Sequence, residues 1–354
     1  MLKTAFGSIY TLWNMDKYEH GGTDARIDFS ANINPLGMPE GAYKALSGAI
    51  RSCGAYPDPE CTVLRERIGQ RENIQPEHII CGNGAADLIF RTVFAAKPKK
   101  ALLLAPTFSE YEKALSAAGC EMDFYALKEE NDFALGDDYI NVLEGGYDIV
   151  FLCSPNNPTG GELSEQCLLE IVTRCKSLGI LPVIDMSFAD FSENAVSANA
   201  LAEAGAAVIK AFTKIYAMPA LRLGYMLCCD DELIRKVKLA GQSWSVNSLA
   251  QAAGAAALDD SDLIGRTVEY ISRERRFLTE KFGAMGIKTY PAAANFILLK
   301  SEHDLAGIAM ESGIALRRCE NFRGLDGRFF RTAVRSHEDN IELVMALERG
   351  LLNG

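Results

Sequence analysis

The sequence predicts an α/β fold, a large domain with a mostly parallel central sheet covered by helices plus a smaller α+β domain. Three observations carry that prediction. Short apolar runs alternate with stretches of helical spacing through the middle of the chain, the pattern of a parallel sheet buried on both faces. After about residue 230 the order changes to long helices followed by a few strands, which reads as α+β. No repeat, low-complexity tract or Gly/Ser linker separates independent modules. The expected boundaries are 45–235 for the large domain, with 1–44 and 236–354 together forming the small one.

Taken in order, the opening segment to about residue 45 is loop-rich, with "SANINPLG" in it and "YPDP" nearby. "HIIC" (78–81), "KALLLAP" (100–106), "DIVFLCSP" (148–155), "LPVID" (181–185), "AAVIKAF" (206–212) and "RLGYMLC" (222–228) are apolar runs of strand length. Between them, "AADLIFRTVFAA" (85–96), "FSEYEKALSAAG" (108–119) and "LSEQCLLEIVTRCKSLG" (163–179) space their apolar residues as one face of a helix. A helical stretch of small residues, "SLAQAAGAAALDD", then leads to the charged helix "RTVEYISRERRFLTEKFGAMG". The end reads as strand "NFILLK", helix "EHDLAGIAMESG", strands "IALRRC" and "RFFRTAV", and helix "HEDNIELVMALERGLL".

The 354 residues are 48% hydrophobic and 23% charged, ordinary values for a soluble globular protein. A net charge of -11 disfavours nucleic acid or an anionic membrane as a bulk partner and leaves room for a local basic pocket. Ten cysteines are scattered and four histidines spread along the chain, so no metal-ligand spacing arises and no metal is expected. The thiols read as reduced. With no apolar run of eighteen residues and no signal-peptide pattern at the start, the expected location is the cytoplasm.

The chemistry-bearing residues fall at strand ends, where parallel sheets bind their ligands. "CGNGAAD" (81–87) follows a strand and opens a helix, so it reads either as a tight turn or as a loop whose amides cradle a phosphate. "SPNNPTGGELS" (154–164) is an irregular loop whose Asn156 and Asn157 either offer donors at the sheet edge or cap backbone groups. Asp185 ends an apolar strand; it is a helix cap, or a carboxylate paired with a cation such as a protonated ring nitrogen. Lys214 follows "AFT", where an amine of lowered pKa suits Schiff-base chemistry, and Arg222 comes eight residues later as a phosphate clamp. Taken singly, a solvated lysine and a salt-bridged arginine are the simpler readings.

The whole constellation resembles the fold-type-I pyridoxal-5′-phosphate (PLP) enzymes of the class I/II aminotransferase superfamily. The resemblance spans essentially the full chain: N-N-P-T-G, an aspartate 28 positions after Asn157, then T-K and L-R-L-G-Y. It implies that Lys214 forms the internal aldimine with PLP and that Asp185 pairs with the protonated pyridine nitrogen. It further implies that Asn157 bonds the ring 3′-oxygen and that Phe108 stacks on the ring. Gly84, Ala85, Thr213 and Arg222 would hold the phosphate. Tyr56 would reach the neighbouring subunit's cofactor, which makes a homodimer the expected assembly, and Arg331 would take the substrate α-carboxylate. Two positions depart from the pattern: Phe188 stands where many relatives have tyrosine, and Ala211 where a hydroxyl is common.

"HGG" (20–22), "DFSANINPLGMP" (28–39) and "RRCENFRGLDGRFFRTAVR" (317–335) are similar to the threonine-phosphate decarboxylase branch, itself similar to the histidinol-phosphate aminotransferases. That likeness implies a small phosphorylated amino substrate, with Arg317 and Arg323 near its phosphate and His20 and Asn32 in segments that fold over it. The plain alternative for Arg317 and Arg323 is a solvated basic strand end. The expected reaction is PLP-dependent decarboxylation of L-threonine O-3-phosphate to (R)-1-amino-2-propanol O-2-phosphate, as in cobalamin side-chain synthesis. The alternative is amino transfer from a small phosphorylated amino compound to 2-oxoglutarate.

Overall fold

The computed structural model describes residues 25–353. Its centre is a seven-stranded sheet built from β1 (Ile79–Gly82), β2 (Lys100–Ala105), β3 (Glu121–Ala126), β4 (Ile149–Cys153), β5 (Leu181–Asp185), β6 (Ala207–Ala211) and β7 (Gly224–Leu227). The spatial order is β1-β7-β6-β5-β4-β2-β3. Every pair is parallel except the two made by β7, which runs against both β1 and β6.

Strand side chains alternate between the two faces of a sheet, and here the alternate residues feed two separate apolar clusters. Ile79, Leu102, Leu104, Val150, Ile184 and Val208 join one cluster; Ile80, Leu103, Phe151, Val183, Ile209 and Met226 join the other. Burial on both faces explains why these strands are unbroken apolar runs. The exception is β3, whose acidic residues Glu121 and Asp123 and half-open burial mark an edge strand. Its sequence "EMDFYA" carries no strong apolar signal, and the sequence reading passes over it.

Helices cover the sheet. Ala85–Ala96 begins directly after Gly84, and Glu165–Leu178 is capped by Ser164, whose Oγ accepts from the Cys167 amide at 3.2 Å. Among the helices that go unread in the sequence are Glu40–Ala49 and the strongly charged Thr62–Glu72. The small-residue helix Ser248–Ala257 packs on both. Among the described residues no helix is long and apolar enough to cross a membrane.

The C-terminal part carries an antiparallel sheet of β8 (Lys288–Thr289), β9 (Phe296–Lys300), β10 (Arg317–Arg318) and β11 (Phe329–Ala333), ordered β10-β11-β9-β8. "IALRRC", read as one strand, is divided between two sheets. Ile314–Ala315 pairs in parallel with Ile27–Asp28, and Arg317–Arg318 pairs with β11. The apolar run is continuous, but the chain changes partner within it. The N-terminal segment is thereby tied to the C-terminal unit, and the Ala333 amide also donates to the Phe29 carbonyl at 2.8 Å.

Candidate active site

The carboxyl ends of β1, β2, β4, β5 and β6 lie at one edge of the sheet. Because β7 is reversed, its beginning lies there too, and Gly224 is in register with both Gly82 and Ala211. That geometry brings Arg222, two residues before β7, to the loop after β1. The approach is close enough to require glycine. A Cβ on Gly224 would lie 2.6 Å from the Ala85 nitrogen, and one on Gly84, at φ 88°, would lie 2.7 Å from Arg222 Nη2. Arg222 itself adopts φ 57°, a left-handed conformation that bulky residues rarely take. Such a backbone costs on the order of 1–3 kcal/mol, and it aims the guanidinium at the free amides that start the helix Ala85–Ala96.

A cavity of about 230 Å³ opens at this edge. Asn32, Ala85, Phe108, Asn157, Asp185, Thr213, Lys214, Arg222, Arg317 and Arg331 all line it, as do Phe188 and Ala211. Gly84 sits against the Arg222 guanidinium. Two residues singled out in the sequence stand apart. Tyr56 is 82% exposed with its ring 4.8 Å from that of Trp244. Arg323 pairs with Glu112 at 3.0 Å and lies 3.8 Å over the Phe124 ring. His20 lies outside the described residues.

Within the cavity the charges are arranged by burial. The Lys214 amine is pushed down to about 8, first by burial and then by the Arg331 and Arg222 cations. A substantial neutral fraction at ordinary pH makes it a nucleophile. Asp185 is 3% exposed, and burial raises its carboxyl. Two donors oppose that rise, the Ser187 amide on Oδ1 at 2.9 Å and the Tyr111 hydroxyl on Oδ2 at 2.7 Å.

The asparagine pair divides its labour. Asn156 ties loops together, donating to the Pro106 carbonyl at 3.0 Å and to Thr159 at 2.9 Å while accepting from the Thr107 hydroxyl at 2.8 Å. Asn157 faces the cavity, where its Oδ1 accepts from Arg331 Nη1. Arg331 Nη2 donates to the Ser30 carbonyl at 2.8 Å, fastening the N-terminal segment over the site. Asn34 adds to this cover: its amide donates to the Lys214 carbonyl at 3.1 Å, and its Nδ2 to the Ile215 carbonyl at 2.8 Å.

Arg317 and Arg331 are opposed in register across β10 and β11, so their side chains share one face. Both are buried, at 4% and 7% exposure, and both reach the cavity. Arg317 Nη2 donates to Asn321 Oδ1 at 3.0 Å, and its guanidinium lies 5.4 Å over the Phe322 ring.

Sequence reasoning missed three residues. Lys210, in the same run as Lys214, donates to Glu72 and Asp190 at 3.0 Å each. Tyr111 and Asn34 stand in motifs quoted above, but nothing in a motif signals a partner distant in the chain. No metal-binding cluster occurs among the described residues.

Known proteins resemble this chain over nearly its whole length. The family description "Aminotransferase class I and II" matches residues 25–347. The chain is 37% identical over 338 residues to a threonine-phosphate decarboxylase of Salmonella typhimurium, covering 94% of this chain and 92% of that protein. It is 30% identical over 331 residues to a histidinol-phosphate aminotransferase of Methanosarcina mazei, covering 91% and 87%. The solved histidinol-phosphate aminotransferase of Clostridium acetobutylicum superposes with a TM-score of 0.86 at 27% identity, covering 93% of this chain and all of that one.

Proposed function

We propose, for a chain that belongs to the class I and II aminotransferase family, that it decarboxylates L-threonine O-3-phosphate with PLP. The observation that carries the substrate class is the buried Arg317–Arg331 pair facing Lys214, a site built for two anionic groups on one small amine. The likeness to a threonine-phosphate decarboxylase at 37% identity, against 30% for a histidinol-phosphate aminotransferase, favours decarboxylation over amino transfer.

The residues present fit PLP. The side-chain-free approach of Gly84 and Gly224 leaves amides and Arg222 for a phosphate, Asp185 is a buried carboxylate for a protonated ring nitrogen, and Lys214 is an amine for the aldehyde. PLP, when bound, withdraws the electron pair released at the substrate Cα. Phe108 and Phe188 bound the cavity with aromatic walls and limit water. The Asn157 amide nitrogen remains a donor, since its oxygen is taken by Arg331. Arg331 fixes the carboxylate of the substrate through two N–H groups, and Arg317 receives its phosphate. The bond from Cα to the carboxylate breaks and CO2 leaves. The protonated Nζ of Lys214 then delivers a proton to Cα.

The division at 45 and 235, the phosphate role of Arg323, the role of His20 and a homodimer in which Tyr56 reaches the neighbouring site belong to the same proposal. The exposed Tyr56–Trp244 pair supports the last of these. The test is incubation with threonine phosphate with and without 2-oxoglutarate. CO2 release without an acceptor is expected; glutamate formation without CO2 would replace the proposal with amino transfer.

A further inference from the structure

Tyr111 has no place in the chemistry above, yet it is fully buried behind the site and touches two of its walls. Its hydroxyl donates to Asp185 Oδ2 at 2.7 Å. Its ring meets Phe108 edge-on, with centroids 5.6 Å apart and planes at 84°, and stacks on Phe151 at 5.0 Å and 17°. One side chain thus braces both the carboxylate and the aromatic wall, from a helix, Ser109–Ala117, that begins one residue after Phe108.

We propose that Tyr111 is a positioning residue for the cofactor ring, holding Asp185 ionised and in place while its ring fixes Phe108. The inference rests on the PLP reading. The physical case is that an anion at 3% exposure is stable only with its lone pairs satisfied. The Ser187 amide satisfies one oxygen and the Tyr111 hydroxyl the other. Burial keeps the phenol itself protonated, well above its ordinary value, so that it remains a donor. Without it, the carboxylate gains a proton more readily and turns from its place, and its charge no longer opposes a ring cation.

The experiment titrates apoprotein with PLP by absorbance and measures steady-state turnover for wild type, Tyr111→Phe, Asp185→Asn and the double variant. Phenylalanine keeps the ring stacking, so apoprotein melting serves as the folding check. Tyr111→Phe is expected to weaken PLP binding about tenfold or more, the scale of a hydrogen bond to a charged group. It should lower kcat with little change in the KM for substrate. In the Asp185→Asn background the same change should add nothing. Unchanged PLP affinity, or an equal loss in the Asp185→Asn background, overturns the inference. A wild-type apoprotein that takes up no PLP overturns the cofactor reading instead.

Discussion

Lys210 and Lys214 lie four residues apart, the first buried and the second half-buried in the cavity wall, and the pockets that receive them are opposite in character. Around Lys210 stand Glu72 and Asp190, each 3.0 Å away, with the Tyr225 hydroxyl also on Glu72. Burial alone would lower the Lys210 amine, but these anions outweigh it and hold the value above the ordinary 10.5. Around Lys214 stand Arg331 and Arg222, and burial and repulsion act together to bring it to about 8. The same residue type is therefore a fixed cation in one pocket and a reactive amine in the other. The lesson is that depth of burial does not decide reactivity; the sign of the neighbours does.

The strongest way to break this contrast is to remove each amine in turn. Lys214→Ala is expected to lower turnover by roughly 10³-fold or more, the scale of losing a nucleophile and proton carrier. Borohydride reduction followed by peptide mass spectrometry should find the cofactor on Lys214 in the native protein and nowhere in the variant. A label on Lys210 would reverse the assignment. Lys210→Met should keep the label on Lys214 but leave the half-buried Glu72 and Asp190 carboxylates without their shared cation, costing about 3 kcal/mol in urea unfolding, the low end for breaking a buried pair.

The two pockets also differ in their response to pH. Between about 8 and 10.5 the unfolded chain keeps a proton on Lys214 that the folded apoprotein has released. Stability linked to Lys214 therefore rises with pH across that window, by about 3 kcal/mol. Lys210 runs the other way: its contribution is complete below 10.5 and is lost only as pH climbs beyond that value. Wild-type minus Lys214→Met unfolding free energies at pH 7 and pH 10 should show the first effect, and a flat difference would refute it. The smallest expected change sharpens the cationic pocket. Ala211→Ser adds a hydroxyl to the cavity wall and should tighten PLP by about two- to tenfold in apoprotein titration, the range of one hydrogen bond.

Legibility in the sequence followed the locality of the cause. The places of Asn157 and Lys214 at the cavity were legible because each follows a buried strand within a short motif, that of Asp185 because it ends one, and that of Arg222 because it precedes one. Lys210 was not, because its partner Glu72 lies in the helix Thr62–Glu72, far from it in sequence and itself unread. Tyr111 stood in a quoted motif, but its bond to Asp185 joins residues 74 positions apart. The edge strand β3 and the divided "IALRRC" failed for related reasons. Periodicity reports which faces are buried, not which strand lies alongside.

The reversed strand β7 also has a bearing on the order of assembly. Its pairing with β6 joins neighbouring segments of the chain, so the turn holding Lys214 and Arg222 closes at little entropic cost. Its pairing with β1, Gly224 against Gly82, closes a far longer loop and belongs to the slower, non-local contacts. Until that pairing forms, Arg222 faces no glycine loop and no helix start. Cofactor capture is thus a property of the finished sheet, and a half-folded chain holds Lys214 with neither its lowered pKa nor the means to fill its pocket.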